Sequence, residues 1–314
     1  MSKLFLGVDT SNYTTSLALC SNGKVIKSVR RLLPVKDGEK GLRQSDAVFL
    51  HTKALPELCE ELFSCDEYKK EYLSAVGVSF APRDEEGSYM PCFLAGISFA
   101  KAISASHGIP LFQFSHQSGH IRAGIYSCTD NKNAFSGNFI SFHVSGGTTE
   151  ALLVKPSGAY YEYKIIGGTN DASAGQIIDR AGVLSGIPFP CGKALDKLSQ
   201  KSDKKLTPLT SMNGTYFSLS GLQNKYEKYI SDGESVSNAS RFIFESIART
   251  LEKCTQNIRN KHGALPVLYA GGVMSNSIIR ERLSKLENVY FASTELSCDN
   301  ACGTALLCED RYNS

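Results

Sequence analysis

Residues 3–31, KLFLGVDTSNYTTSLALCSNGKVIKSVRR, and residues 138–166, NFISFHVSGGTTEALLVKPSGAYYEYKII, read as the same device used twice. Each begins with an apolar run, at 3–9 and at 138–144. Each turns on small hydroxyl-bearing residues and resumes in β-branched and apolar residues, at 14–20 and 149–154. After a second turn, Ser21-Asn22-Gly23 or Pro156-Ser157-Gly158, a third run closes the set at 24–31 and 159–166. Such runs between such turns predict a three-strand meander in each half.

Working outward, the first meander is followed by a helix over 45–63 capped by Ser45 or Asp46, and a buried strand over 74–80. A helix over 91–106, a short strand over 110–114 and a helix over 116–126 complete that half. Behind the second meander the pattern predicts helices over 171–185, 192–199 and 237–261. A strand over 265–270, a helix over 275–286, a strand over 289–292 and a last helix over 299–309 follow. A meander followed by helix and strand units thus occurs twice. This implies a duplicated α/β architecture, two lobes with an interlobe cleft. The polar segment 128–137 sets the boundary: a first lobe over 1–130, a second over 131–298, and a final helix over 299–314 expected on the first lobe. Two unrelated hairpins are the plainer alternative.

The 314 residues suffice for two cores. With 42 % hydrophobic and 21 % charged residues, disorder and fibrous architecture are excluded. A net charge of +3 neither announces nor forbids a nucleic-acid partner. No Cys-x-x-Cys occurs among the ten cysteines, which read as reduced thiols of a cytoplasmic protein. No apolar run approaches 18 residues, so no membrane association is expected. The lysines between 193 and 205 read as a solvated helix face, or as a basic patch.

Three turns carry candidate ligand chemistry. Asp9-Thr10-Ser11 and Ser145-Gly146-Gly147-Thr148 occupy the same place in each half. Their exposed backbone N–H groups and small side chains suit phosphate from two sides, although ordinary hairpin turns would look alike. Gly271-Gly272, between a buried strand and a capped helix, lets an adenine or ribose lie close, or is a tight turn. His116 and His120 stand four apart, one above the other on a helix, at a spacing that suits one metal ion, or each is bonded to a neighbour on the helix face. Asp299, before the last helix, is a candidate third ligand. Asp179 is a carboxylate on an apolar helix and could accept bonds from a ribose, or pair with Arg180.

Together these pieces resemble the bacterial TsaD family, the threonylcarbamoyl transferases of tRNA once described as glycoprotein endopeptidases. The resemblance runs nearly end to end, from Gly7-Val8-Asp9-Thr10-Ser11 to Asp299-Asn300-Ala301. It includes Phe217-Ser218-Leu219-Ser220-Gly221-Leu222, and Gly271-Gly272-Val273 with Asn276. It implies the duplicated actin-like and Hsp70-like ATPase (ASKHA) fold. It implies one iron or zinc ion on His116, His120 and Asp299. His143, Val144, Ser145, Gly146 and Gly147 would line the phosphate and carbamoyl region of an adenylate; Asp179, Gly192 and Asn276 would hold its ribose and base. The nucleotide would be ATP, AMP or threonylcarbamoyl-AMP. The partners would be tRNA and other threonylcarbamoyladenosine-pathway proteins or a paralogue of this fold.

The chain also departs from that pattern. Tyr13 and Thr14, after Asn12, stand where the family carries a pair of acids after cysteine. Thr148 replaces His or Asn, Asn170-Asp171 stands for two acids, and Gln176 stands for Glu. A charged loop, Ala81-Pro82-Arg83-Asp84-Glu85-Glu86-Gly87, replaces Gly-Pro-Gly. These departures keep a second reading open, a non-catalytic nucleotide- and metal-binding assembly partner. A metallopeptidase would need a Glu base where the helix has Gln117. A small-molecule kinase would have no need of the histidine pair.

Overall fold

A computed structural model describes residues 3–11, 13–34, 42–128, 132–293, 295–296 and 300–314. The chain divides into two units. The first comprises Met1–Thr129, Pro156–Tyr161 and Leu296–Ser314, and the second Asp130–Lys155 and Glu162–Glu295.

The first unit holds β1 (Leu4–Asp9), β2 (Thr14–Ser21), β3 (Lys24–Leu32), α1 (Gln44–Phe63), β4 (Leu73–Ala81), α2 (Phe93–His107), β5 (Leu111–Ser115) and α3 (His116–Ser127). Its five-stranded sheet has the order β3-β2-β1-β4-β5. The meander is antiparallel, and β1, β4 and β5 run parallel. The central strand is buried on both faces, which explains its unbroken apolar run. Leu4, Leu6 and Val8 pack with Leu55 and Leu58 of α1 and Ala95 and Ala100 of α2. Phe5 faces the other way, into a core with Ala301, Ala305 and Leu306 at the end of the chain.

That second face depends on glycine. Gly7 and Gly77 are paired in register on β1 and β4. The last helix, α9 (Cys302–Asn313), lies directly on them. A Cβ at Gly7 would stand 2.5 Å from Ala301 O and Ala305 N, and one at Gly77 would stand 2.8 Å from Thr304 O. Against α3 the approach is closer still, because a Cβ at Gly303 would come within 1.8 Å of Gly119 O. The backbone of α9 is therefore held against both β1 and α3.

The second unit repeats the arrangement. It holds β6 (Phe139–Val144), β7 (Thr149–Ser157), β8 (Tyr160–Thr169), α4 (Ala174–Leu184), α5 (Gly192–Ser199), β9 (Ser211–Asn213), β10 (Tyr216–Ser218), α6 (Ser220–Ser231), α7 (Val236–His262), β11 (Val267–Ala270), α8 (Ser277–Leu283) and β12 (Val289–Phe291). Its sheet order is β12-β11-β6-β7-β8-β10-β9. Without β9 and β10 this is the order of the first sheet, strand for strand. Its core joins Ile140, Phe142 and Val144 of β6 to Ile177 of α4 and Phe242, Ile243 and Ile247 of α7.

Several boundaries differ from the sequence expectation. The helix expected over 171–185 begins only at Ala174, because Ser173 is its cap in a reciprocal capping box with Gln176. The helix expected from 299 is described from Cys302 and continues to Asn313. The expected helix 275–286 is a tight turn over Gly272–Ser275 followed by α8. Strands β9 and β10 and helix α6 carry no clear periodicity and were not expected.

Gly303→Ala should destabilise the chain by about 1–3 kcal/mol, the usual penalty for forcing atoms into a packed contact. Gly137→Ala, where a Cβ meets nothing within 4 Å, should be nearly neutral. Urea denaturation of the two variants against the parent measures the difference.

Candidate functional site: a histidine pair and a glycine-lined cavity

The first unit presents the histidine pair at the N-terminus of α3. Ser115 caps this helix, its hydroxyl accepting from Ser118 N at 3.1 Å. One turn apart, His116 and His120 bring their Nε2 atoms to 2.8 Å. The other nitrogen of His116, Nδ1, lies 2.7 Å from Asp9 Oδ2. Asp9 is buried at the end of β1 and accepts further bonds from Ser11 N at 2.7 Å and Ser79 Oγ at 2.9 Å. Ser79 Oγ stands 3.2 Å from Thr304 Oγ1 of α9. A hydrogen-bonded line therefore runs from α9 through β4 and β1 to both imidazoles. Burial alone would raise the Asp9 carboxyl. The facing His116 and the bonds from Ser11 outweigh this and hold it below the ordinary range.

Two imidazole nitrogens bound to one ion at about 2.1 Å stand roughly 3.0–3.4 Å apart. The pair needs to part by only a few tenths of an ångström to meet that. Its carboxylate on Nδ1 is the usual outer partner of a metal-bound histidine. The donors present thus fit a divalent metal. No group of three or more His, Cys, Asp or Glu side chains fit to hold a metal ion occurs among the described residues. Asp299, the expected third ligand, lies outside the described residues, as does Asn12.

The other candidates of the first turn divide. Thr10 is fully buried, and its hydroxyl is committed to Cys92 O at 3.0 Å and Gly96 N at 3.2 Å, so it packs the turn on α2 and does not face a ligand. The Ser11 hydroxyl is buried with no hydrogen-bond partner. Tyr13 is 39 % exposed, and Thr14 is paired with Leu32 across β2 and β3.

The second unit contains a cavity of about 630 Å³. Gly146, Asp179, Gly192, Gly272 and Asn276, distant in sequence, line it together. Phe189, Asp196 and Phe244, which the sequence had not marked, also contribute, as does Lys193, read there only as part of a solvated face or basic patch. The glycines on and next to its wall serve two purposes. Gly175 and Gly271 are packing glycines. A Cβ on Gly175 would stand 2.5 Å from Gly146 Cα, and one on Gly271 would stand 2.3 Å from Val144 O. At Gly146, Gly147 and Gly272 a Cβ would meet nothing within 4 Å. Those three leave open backbone beside the cavity, where a ligand can approach.

The turn over 145–148 is held from inside. Ser145 N donates to Thr148 O at 2.7 Å, and Ser173 Oγ donates to Gly146 O at 2.6 Å. His143 and Val144 end β6 beside it, with His143 half-buried and Val144 fully buried. Asn276 caps α8 through Oδ1, which accepts from Ile279 N at 3.0 Å, while its buried Nδ2 has no partner. A buried donor without a partner on a cavity wall is a group awaiting an acceptor. Asp179 accepts from Cys191 N at 2.9 Å through Oδ1, and burial raises its carboxyl despite that bond. Arg180 turns away to Gln223.

Asp171, the remaining one of two expected acids, lies elsewhere. It caps α6, accepting from Leu219 N at 2.8 Å, Ser220 N at 3.1 Å and Ser220 Oγ at 2.6 Å. Partial burial opposes the charge, but these bonds win and hold its carboxyl at about 2.

The paired sheets and the cavity define the class: a duplicated ASKHA fold. Component A of (R)-2-hydroxyglutaryl-CoA dehydratase from Acidaminococcus fermentans shares it at a TM-score of 0.58, with 15 % identity and full coverage of both chains. A family model described as tRNA N6-adenosine threonylcarbamoyltransferase matches residues 39–306, and the chain belongs to that family, TsaD, a family of transferases. The protein so named in Bacillus licheniformis is 30 % identical over 294 residues, covering 89 % of this chain and 82 % of that one. Its namesake in Thermosipho africanus is 27 % identical over 96 % of this chain and 92 % of its own.

Asp171→Ala should lower stability at pH 7 by about 1 kcal/mol or less, since the cap is solvent-exposed. The folded-state value is depressed, so this contribution is present above pH 4 and fades as pH falls toward 2. Urea midpoints of parent and variant from pH 7 downward should converge.

Proposed function

We propose that this chain transfers the threonylcarbamoyl group from threonylcarbamoyl-AMP to the exocyclic amine of the tRNA adenosine 3′ of the anticodon. Family membership supports the reaction. The observation that carries the reading in this chain is the cavity, where open backbone at Gly146 meets Asp179 and the unpartnered Nδ2 of Asn276.

In this reading the cavity holds the adenylate. Asp179 accepts from ribose hydroxyls, Asn276 Nδ2 donates to an acceptor on the sugar or base, and Gly192 leaves room for close approach. Residues 143–147 line the phosphate and carbamoyl end, where N–H groups beside Gly146 and Gly147 offset negative charge. The tRNA amine nitrogen bonds to the carbamoyl carbon as the carbon–oxygen bond to phosphate breaks. The amine loses a proton and AMP leaves.

In this reading His116 and His120 would hold one iron or zinc ion, with Asp299, outside the described residues, as the third ligand that the family resemblance implies. When bound, the ion supplies Lewis-acid polarisation of a carbonyl or phosphate oxygen. Asp9 fixes the His116 ring through Nδ1 and keeps Nε2 available as a ligand. Other threonylcarbamoyladenosine-pathway proteins or a paralogue of this fold are the expected partners. The second reading, a nucleotide- and metal-binding assembly partner without catalysis, draws support from Tyr13 and Thr14, where no acid is present.

His116→Ala and His120→Ala should each lose most bound metal, read by elemental analysis of purified protein; full metal content in both would end the assignment. Asp179→Ala should weaken AMP binding about tenfold or more, read by calorimetry, and leave the metal in place. Transfer of labelled threonine to unmodified tRNA separates the two functional readings.

A further inference from the structure

The charged loop after β4 is tied to the helix that carries the histidines. Pro82 O accepts from Gln117 N at 3.1 Å. Asp84 Oδ2 accepts from Ser115 Oγ at 2.5 Å and from Ser118 Oγ at 3.0 Å. Ser115 and Ser118 are buried, whereas Asp84 is exposed. One surface carboxylate thus grips two buried hydroxyls on the first turn of α3.

The geometry has a directional consequence. Both hydroxyls lie within hydrogen-bond reach of the carboxylate and stand 3.0 Å from each other, while Ser115 Oγ also accepts from Ser118 N, the cap bond of the helix. The negative charge also lies at a helix N-terminus, where it is favoured. His116 follows the capping residue directly, and His120 is one turn further on. Any fraying of this turn moves His116 Nε2 relative to His120 Nε2.

We propose that Asp84 is a positioning residue: by clamping Ser115 and Ser118 it presets His116 and His120 to take one divalent cation. This rests on the reading of the histidine pair as a metal site. The clamp belongs to this chain's own loop, the one that departs from the family's Gly-Pro-Gly pattern.

The test is titration of the metal-free full-length protein with Zn²⁺ against a competing chelator, with a melting curve of each metal-free variant. Asp84→Ala should weaken Zn²⁺ binding about tenfold, in line with other outer-shell losses, and leave the metal-free melting midpoint nearly unchanged. Asp84→Asn keeps an acceptor oxygen and should recover most of the affinity; an Asn variant as weak as Ala would make the effect one of bare charge and overturn the clamp. Ser118→Ala should weaken binding by a smaller factor and add nothing in the Asp84→Ala background. If Asp84→Ala does not fold, Ser118→Ala decides, and unchanged affinity there defeats the proposal. Unchanged Zn²⁺ affinity in Asp84→Ala, with binding lost in His116→Ala, overturns the clamp and leaves the metal site standing. Unchanged affinity in both variants removes the metal site and the clamp together.

Discussion

The first unit depends on how closely the backbone of α9 approaches its neighbours. Three positions without side chains, Gly7, Gly77 and Gly303, allow that approach. Any Cβ there would lift the helix off the sheet or off α3. With the helix seated, Thr304 reaches Ser79, Ser79 reaches Asp9, and Asp9 reaches His116. A buried carboxylate is tolerated only when its lone pairs are satisfied, and Asp9 takes bonds from a backbone amide, a hydroxyl and an imidazole. The imidazole is therefore fixed by packing that begins at the far end of the chain.

With Nδ1 of His116 held by Asp9, Nε2 of that ring is left facing Nε2 of His120. In the second unit the glycines of one motif have opposite roles. Gly175 and Gly271 are small so that backbone can meet backbone. Gly146, Gly147 and Gly272 are small beside open space. Sequence shows a glycine in all five places and does not tell these uses apart.

Much of the architecture was legible because it rests on local pattern. The meanders at 3–31 and 138–166 could be read from alternation and turn residues, and the sheet orders repeat accordingly. The hairpin of β9 and β10 was not legible, since strands of three residues show no periodicity. Helix α6 was missed for a related reason: its cap is Asp171, almost fifty positions upstream. The neighbours Phe189, Lys193 and Asp196 on the cavity wall carry no motif of their own. The loop at 82–87 could be marked as unusual, but its bond to Ser115 and Ser118 spans over thirty residues.

Sequence by itself determined the duplicated α/β plan, the histidines one helical turn apart and the family pattern, because each is written in short-range spacing. Tertiary structure decided which hydroxyls are consumed by packing, as at Thr10, and which polar groups stay unpartnered, as at Ser11 and Asn276. It also decided that Asp9 serves an imidazole and that Asp171 serves a helix end. These outcomes turn on which donors meet which acceptors once water is excluded, and the pairings join residues that no local spacing connects.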